Sequence, residues 1–377
     1  MIVPSRARVF RLILPALLVS SAWTAYRVDA QPRSSPAPAK IPLVAGLVTV
    51  GAVREPDKGD YESILTVDSL SADAVGYSMS GNVGDRRFTV KRSVRTTDMT
   101  HAHEWRPRYS EGDPVTFPGT TGGTLSADML NELKSKGSST LKAFVASSAL
   151  GGLLGGLLGG TAGAPDSVEG TIRRVEPQPV PVSMLVNDNR VDLPAIHARG
   201  TLGDDTFDVY VLDDPAMPLV LQWSLADTSK RLIRISYPGA SVPSHIEEKL
   251  NSIGRAEVYG IYFDFAKATI RPESEQVLKD IAEVMVKNAA WKLTVEGHTD
   301  NIGGATANQE LSSRRAAAVR QALIDRYHVA ADRLTPAGFG ASRPKETNAT
   351  LEGRARNRRV ELVRQPGALD AHPAVRH

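Results

Sequence analysis

The sequence predicts a mainly β module over residues 42–240, followed by an α/β sandwich over residues 250–364 with the order β-α-β-α-β-β. In the first region, short apolar runs of period two are separated by turn residues, which is typical of strands. After Pro243, helical and strand patterns alternate, which indicates one sheet with helices packed on a face. With 377 residues, the chain is too long for one compact core and is expected to form two or three domains.

The composition excludes several classes of protein. The chain has no cysteine, which rules out a disulfide framework, a thiolate metal site and a lipid anchor of the bacterial lipoprotein type. The formal net charge is only +3 and no run of Lys and Arg resembles a nucleic-acid footprint, so we predict no nucleic-acid partner. His101 and His103 lack a third ligand, and we therefore predict neither a metal nor another cofactor.

The first residues have the three parts of a secretory signal peptide. Three arginines precede a short apolar stretch at residues 12–23, and small residues end at Ala30, after which we expect cleavage. An uncleaved membrane anchor is the alternative, but this stretch is shorter than the roughly 20 residues that a spanning helix needs. We predict a signal peptide at residues 1–30 and a Pro/Ser-rich linker at residues 31–41.

Apolar and polar residues alternate in several short runs of the β module. Turn residues such as Asn187-Asp188-Asn189 and Gly203-Asp204 separate these runs. The apolar positions of the predicted strands are Phe88, Val90, Val94, Met184, Val186, Val209, Val211, Leu219, Leu221, Leu232 and Ile235. No catalytic constellation accompanies them, so we predict no enzyme activity.

Residues 143–164 break this pattern, because they carry no charge and repeat Gly-Gly-Leu-Leu units. Small residues at intervals of four allow helices to approach closely inside a bilayer. Paired glycines, however, cost roughly 1 kcal/mol each in a helix interior in water. Two interpretations stay open: a flexible insertion between strands, which the composition favours, and an element for membrane insertion or self-association.

The region after Pro243 predicts its elements in a regular order. These elements are a strand at residues 259–265, a helix from Pro272, a strand at residues 291–296, a helix after Gly304, a strand at residues 334–339 and a last strand around Val360 and Leu362. The predicted buried faces are Val277, Ile281, Val284 and Met285 in the first helix, and Leu311, Ala318, Val319, Ala322 and Leu323 in the second. Because Pro336 lacks an N–H group, it is expected either on an edge strand or at the start of the third strand.

Asp300 and Arg315 are the candidate functional residues. Arg315 lies four residues from Leu311 and from Val319, so its charge interrupts the apolar face of the second helix and needs a partner or a route to solvent. Asp300 follows a strand at its carboxyl end, where α/β sheets commonly bind ligands. The two side chains either border one pocket or form an ordinary salt bridge, and the residue pattern alone favours the salt bridge.

Several motifs of the C-terminal region match one family. They are Phe263-Asp264-Phe265, Glu296-Gly297-His298-Thr299-Asp300-Asn301 with Gly303, Asn308, Leu311-Ser312, Arg315-Ala316, Gly338-Phe339-Gly340, Pro344, Asn348, Gly353-Arg354 and Asn357-Arg358-Arg359-Val360-Glu361. With these motifs, residues 262–364 closely resemble the C-terminal domain of the OmpA family, which Pal lipoproteins and MotB-type stator proteins share. The resemblance covers little more than a quarter of the chain, and residues 31–250 show nothing comparable.

The resemblance implies non-covalent binding of peptidoglycan through the diaminopimelate residue of its stem peptide. The end of the diaminopimelate side chain bears an ammonium and a carboxylate on one carbon. The resemblance assigns the ammonium to Asp300 and the carboxylate to the planar guanidinium of Arg315. The expected polar neighbours are Thr299, Asn301 and Asn308. Arg358 is expected either to line the pocket or to close the sheet.

We therefore expect a periplasmic protein that tethers the outer membrane or envelope to the wall, with residues 42–240 available to contact the outer membrane or envelope proteins. The alternative is a porin-like outer-membrane protein in which residues 42–240 form a β-barrel, although the predicted strands look shorter and poorer in aromatic residues than such barrels need. An inner-membrane stator would need a functional carboxylate in its N-terminal span, and residues 12–23 contain none. Residues 365–377 are expected to be a disordered tail.

Overall fold

In a computed structural model, the described residues are 40–56, 59–84, 86–106, 112–144, 167–238 and 242–365. The predicted signal peptide, residues 31–39 of the predicted linker and residues 366–377 of the predicted tail lie outside them. Residues 145–166, which contain nearly all of the glycine-rich segment, also lie outside the described residues. In the sequence, this segment stands between two strands that pair with each other.

Fourteen strands form one sheet in the described part of the β module. They are β1 (Val48–Glu55), β2 (Gly59–Leu70), β3 (Ala74–Val83), β4 (Arg86–Arg95), β5 (Glu104–Trp105), β6 (Val115–Thr116), β7 (Thr120–Thr121), β8 (Ser138–Phe144), β9 (Ser167–Arg174), β10 (Val180–Val186), β11 (Asn189–Leu202), β12 (Asp205–Leu212), β13 (Val220–Leu225) and β14 (Thr228–Ser236). The prediction of a mainly β region is confirmed.

Side-chain alternation and turn residues explain these strands. In β4, Phe88 and Val90 are buried, whereas Lys91, the residue after Val90, is exposed. One face of the strand therefore contacts the core. At the predicted turn between β10 and β11, Asn187 and Asp188 have φ values of 46° and 61°. Asparagine and aspartate tolerate this left-handed conformation, which two-residue hairpin loops require.

The order of the strands in this sheet is β6-β4-β3-β2-β1-β14-β13-β12-β11-β9-β8-β5-β7, and β10 pairs with both β11 and β14. Because β10 to β14 also pair in succession, these five strands close into a ring of hydrogen-bonded neighbours. Two helices, α1 (Thr96–His101) and α2 (Ala127–Ser135), occur between β4 and β8 in the chain. Ser126 caps α2, since its hydroxyl accepts a hydrogen bond from the Met129 amide.

The described C-terminal region contains helices around a second, four-stranded sheet. Its elements are α3 (Val242–Ser252), β15 (Arg255–Val258), α4 (Glu275–Lys287), β16 (Leu293–Gly297), α5 (Ala305–Tyr327), β17 (Leu334–Gly338), α6 (Leu351–Asn357) and β18 (Val360–Arg364). The sheet order is β15-β18-β16-β17, with β16 and β17 parallel and the other pairs antiparallel. Strand β17 contains Pro336 and lies at the edge, as predicted.

The helices α4 and α5 share one core with this sheet. The predicted apolar face of α4 is buried. In α5 the fully buried line runs through Ser312, Ala316 and Val319, whereas Leu311 is only half-buried. Small residues bring the α5 backbone close to β16: a Cβ atom at Gly297 would lie 2.3 Å from the Ser312 carbonyl oxygen. The buried line is therefore rotated from the predicted one, and Arg315 lies at its margin.

The first strand of the C-terminal region differs from the prediction. The sheet uses Arg255–Val258 instead of residues 259–265. Within that predicted strand, Ile261 packs into the C-terminal core, while its neighbour Tyr262 packs with residues of the β module. The chain then turns at Ala266, which has a φ of 51°. Packing between the two regions thus overrides the period-two pattern.

The sequence pattern also failed to predict α3 and α6. Helix α6 has arginines and Gly353 where an apolar stripe would be expected, and it begins at Thr350, whose hydroxyl accepts from the Gly353 amide. From β15 onward the observed order is β-α-β-α-β-α-β, not the predicted β-α-β-α-β-β. No helix among the described residues is long and apolar enough to cross a membrane.

The β module packs against the C-terminal region close to α6. An apolar cluster joins Val50 and Ile64 of the β module to Tyr262 and Ala355. Ion pairs surround this cluster: Asp60–Arg354, Glu62–Arg358, Arg87–Glu273, Arg190–Glu346 and Arg231–Glu352. These contacts place strand β2 beside the loop that follows β16.

Candidate functional site

Asp300 lies in the loop between β16 and α5. Its Oδ1 atom accepts a hydrogen bond of 3.0 Å from the Ile302 amide. The buried Asn308 side chain donates to the carbonyl oxygens of Asp300 and Ile302, at 3.2 and 3.0 Å. The Thr299 amide donates to the Gly340 carbonyl oxygen, and its hydroxyl donates to that of Asp300. Thr299 and Asn308 therefore fix the loop that presents the Asp300 carboxylate.

The charge partner of Asp300 is Arg358, which follows α6. Arg358 Nη1 donates to Asp300 Oδ2, while Nη2 and Nε donate to Glu62 Oε1 at 2.6 and 3.2 Å. The Asp300 side chain is 12% exposed and that of Arg358 is 31% exposed. The guanidinium thus bridges two carboxylates, one from each region of the protein.

Arg315 projects from α5 onto the segment that precedes α4. Its Nε atom donates to the Lys267 carbonyl oxygen at 3.0 Å, and its guanidinium carbon lies 4.8 Å from the centre of the Phe263 ring. Burial and the neighbouring Arg358 lower the pKa of Arg315 to about 10, although Glu62 and Asp300 act in the opposite direction. Arg315 is therefore a half-buried cation near the Asp300–Arg358 pair.

Arg315 forms no ion pair with Asp300 or any other carboxylate among the described residues. Its closest polar partners there are carbonyl oxygens of Lys267 and, at 3.5 Å, Asp264, and its Nη1 atom has none. The ordinary salt bridge between strand and helix is thus not the arrangement in this structure. A desolvated cation with an unused donor is well suited to an external carboxylate.

The six predicted site residues have different surroundings. Asp300 and Arg358 are in direct contact, and Thr299 and Asn308 are buried behind the loop. Asn301 is exposed, and in the described residues no hydrogen bond joins its side chain to the others. Two exposed apolar side chains, Ile302 and Phe265, belong to the segments that carry Asp300 and receive Arg315.

No sequence pattern indicated Glu62 as a neighbour of this site, because Glu62 belongs to β2 of the other region. The carbonyl oxygens that accept hydrogen bonds from Arg315 could not be predicted either. Every residue has a backbone carbonyl group, so the sequence does not mark these acceptors. Phe263 was a detectable signal, because it stands in a matched motif. Its ring supports the Arg315 guanidinium, as aromatic faces attract cations.

A second cluster of titratable side chains lies on the same sheet. Glu296, His298 and Glu361 are buried, with possible ligand atoms within 4.8 Å of one another. Arg255 contacts both carboxylates and Arg359 donates to Glu361. Guanidinium groups already neutralise these carboxylates and would repel a divalent cation. We assign no metal to the cluster.

His298 is expected to make the domain sensitive to acid. Burial and then Arg359, Arg343 and Arg255 lower its pKa to about 3, whereas an unfolded histidine titrates near 6.5. The unfolded state therefore binds more protons between these values, so stability falls as the pH drops below about 6.5, by at most about 1.4 kcal/mol per pH unit.

Urea unfolding at pH 7.5 and pH 5 tests this expectation. The variant His298→Asn should lose less stability between the two pH values than the unchanged protein, by roughly 1–2 kcal/mol. His328→Asn is the matched control, because His328 is exposed at the end of α5 and adopts a left-handed conformation that asparagine tolerates. Equal losses in all three proteins would contradict a role for His298.

Comparison with known proteins relates the C-terminal region to one family. The model of the OmpA family matches residues 262–358. Outer membrane porin F of Pseudomonas aeruginosa is 46% identical over 101 residues, which are 27% of this chain and 29% of that protein. Outer membrane protein Omp38 of Acinetobacter baumannii is 37% identical over 146 residues, 37% of this chain and 40% of that protein.

Among solved structures, the peptidoglycan-associated lipoprotein from Burkholderia pseudomallei is 28% identical, with a TM-score of 0.26. The match covers 28% of this chain and 88% of the lipoprotein chain. This chain spans less than half the length of the two curated outer-membrane relatives. The matched residues contain β16, β17, Asp300, Arg315 and Arg358, whereas β15 and β18 lie just outside the matched range. Residues 262–358 of this protein are an OmpA family domain.

Proposed function

We propose that this protein binds peptidoglycan non-covalently through its OmpA family domain and tethers the outer membrane or envelope to the wall. The observation that carries the proposal is the half-buried Arg315, which has no carboxylate partner among the described residues and lies near the fixed carboxylate of Asp300. A ligand that bears an ammonium and a carboxylate close together complements both groups.

Diaminopimelate in the peptidoglycan stem peptide is the proposed ligand group. Its terminal carbon carries both charges, so Asp300 accepts from the ammonium while Arg315 donates to the carboxylate through two parallel hydrogen bonds. The Arg315 donor Nε is occupied by the Lys267 carbonyl oxygen. Nη2 makes only a long contact of 3.5 Å with the Asp264 carbonyl oxygen, so Nη1 and the outer side of Nη2 face the proposed ligand. The exposed Ile302 and Phe265 offer apolar contacts beside the charged groups.

The proposed location is the periplasm, at the outer membrane of a Gram-negative-type bacterium. The relatives named above are outer-membrane proteins and a peptidoglycan-associated lipoprotein. Their names describe porins and envelope proteins, which agrees with a binding role instead of an enzymatic one. We propose that residues 42–240 connect the wall-binding domain to the outer membrane or to envelope proteins.

Sedimentation with purified sacculi of two compositions tests the ligand. We expect the protein to sediment with sacculi that contain diaminopimelate and at least about tenfold more weakly with sacculi that contain lysine at that position. Lysine lacks the terminal carboxylate, so the half-buried Arg315 would remain without a carboxylate partner. Arg315→Ala should bind both kinds of sacculi equally poorly. Equal binding of the unchanged protein to both would contradict the diaminopimelate assignment.

A porin-like role for residues 42–240 is the second candidate. The fourteen-stranded sheet, with five strands that close into a ring, favours it. Strand β4 argues against a porin-like role. Arg87, Lys91 and Arg95 are exposed on this strand, whereas the lipid-facing side of a membrane barrel carries apolar residues. Migration on a detergent gel with and without heating separates the candidates, since heat-dependent migration would support the porin-like role.

A further inference from the structure

Arg358 divides its hydrogen bonds unequally between two carboxylates. Two of its donors, Nη2 and Nε, go to Glu62 Oε1, and one, Nη1, goes to Asp300 Oδ2. Glu62 belongs to β2 of the β module, whereas Arg358 and Asp300 belong to the OmpA family domain. The β module therefore contributes a charged group to the edge of the wall-binding pocket.

The position of Glu62 is set by packing on both sides of it. Asp60, two residues earlier on the same edge of β2, pairs with Arg354 of α6. Ile64, two residues later, is buried in the apolar cluster that includes Ala355 of α6. An ion pair to α6 and an apolar cluster shared with α6 therefore flank Glu62 on β2. Glu62 is consequently held facing Arg358 instead of moving freely in solvent.

Removal of Glu62 would change what Arg358 does. A guanidinium next to a single carboxylate favours two parallel hydrogen bonds to its two oxygens. Asp300 Oδ1 already accepts from the Ile302 amide, so a bidentate Arg358 would occupy both Asp300 oxygens and neutralise the charge. With Glu62 present, the three side chains keep one excess negative charge, which attracts an ammonium.

We propose that Glu62 is a positioning residue of the wall-binding pocket: it retains two of the Arg358 donors and so leaves the Asp300 carboxylate available to the ligand ammonium. This inference rests on the proposed binding of peptidoglycan and extends it across the boundary between the two regions. Wall binding then depends on the docking of the β module, because Glu62 is in place only when this module packs against α6.

Calorimetric titration of the full chain with free diaminopimelate tests the inference. Glu62→Ala should weaken binding by about tenfold, the size of effect that coupled charged neighbours show. Glu62→Gln retains an acceptor oxygen without the charge and should bind with an intermediate affinity. Asp68→Ala is the matched control, because Asp68 is an exposed carboxylate of the same strand that hydrogen-bonds Ser78 away from the pocket. Circular dichroism establishes that each variant is folded.

The double variant separates positioning from a merely structural role. If Glu62 acts through Arg358, adding Arg358→Ala to Glu62→Ala removes the competing cation and should recover most of the lost affinity. An affinity as low as that of Glu62→Ala alone would overturn the inference, and so would tighter binding by Glu62→Ala. Weak binding by Asp300→Ala with normal binding by Glu62→Ala overturns only this inference. Unchanged binding in every variant, Asp300→Ala included, overturns the proposed function and this inference together.

Discussion

Replacement of Asp300 by alanine is expected to remove most of the binding to diaminopimelate-containing sacculi. In the proposed complex, the loss leaves the ligand ammonium without its carboxylate. It also leaves Arg358 with Glu62 as its single carboxylate partner. Truncation of one member of a buried charge pair costs roughly 2–5 kcal/mol, and each 1.4 kcal/mol corresponds to about tenfold in affinity. Binding should therefore fall by at least about 30-fold.

Two controls distinguish lost recognition from a disturbed loop. Asp300→Asn keeps an oxygen that can accept from the Ile302 amide, so it should preserve the loop while it loses the charge. Asp325→Ala removes an exposed carboxylate of α5 that hydrogen-bonds Gln321 and should bind normally. Normal sedimentation by a folded Asp300→Asn protein would show that the charge of Asp300 is not needed for binding.

The sequence located much of the C-terminal domain because its signals are local. The alternation at residues 291–296 and the helical spacing in α4 reflect packing against one core, which any chain must satisfy to fold. Asp300 could also be singled out from a local signal, because it follows a strand at its carboxyl end. The motif match then suggested that Asp300 and Arg315 bind one ligand together. The residue pattern alone would have favoured a salt bridge between them.

The features that escaped prediction arise where two regions meet. Residues 259–265 have a strand pattern, yet Ile261 and Tyr262 face separate cores, which a single-segment pattern cannot express. Glu62 is separated from Asp300 by more than two hundred residues, and only the docking of the β module on the C-terminal region brings its carboxylate to Arg358. Helix α6 was missed because its buried contacts involve charged side chains as much as apolar ones.

The Asp300–Arg358 contact also changes the interpretation of the two arginines. Arg358 was expected either to line the pocket or to close the sheet, and it contacts the loop of the candidate site while it also joins the two regions. Arg358 pairs with Asp300, whereas Arg315 has carbonyl oxygens but no carboxylate as partners among the described residues. This difference between the two arginines supports the proposed ligand, which carries both signs of charge.

Replacement of Arg315 by alanine is the second variant expected to lose most of the binding to sacculi. Arg315 is half-buried on the Phe263 ring. In the proposed complex it supplies the donors for the ligand carboxylate, so its loss should again cost roughly 2–5 kcal/mol. Arg315→Lys should also bind poorly. A lysine ammonium cannot hold the Lys267 carbonyl oxygen with one edge and grip a carboxylate with two parallel hydrogen bonds on another.

Arg314 provides the matched control for these variants, because it is the adjacent arginine of α5 and is exposed. Successive residues of a helix point about 100° apart, so Arg314 faces away from the Phe263 ring and Arg314→Ala should sediment almost normally. Both arginine variants lose the same charge, so a nonspecific attraction between a basic surface and the wall would weaken equally in the two proteins. A selective loss in Arg315→Ala instead identifies recognition by a positioned guanidinium. If folded Arg315→Ala sediments like the unchanged protein, the carboxylate of the wall peptide is bound elsewhere.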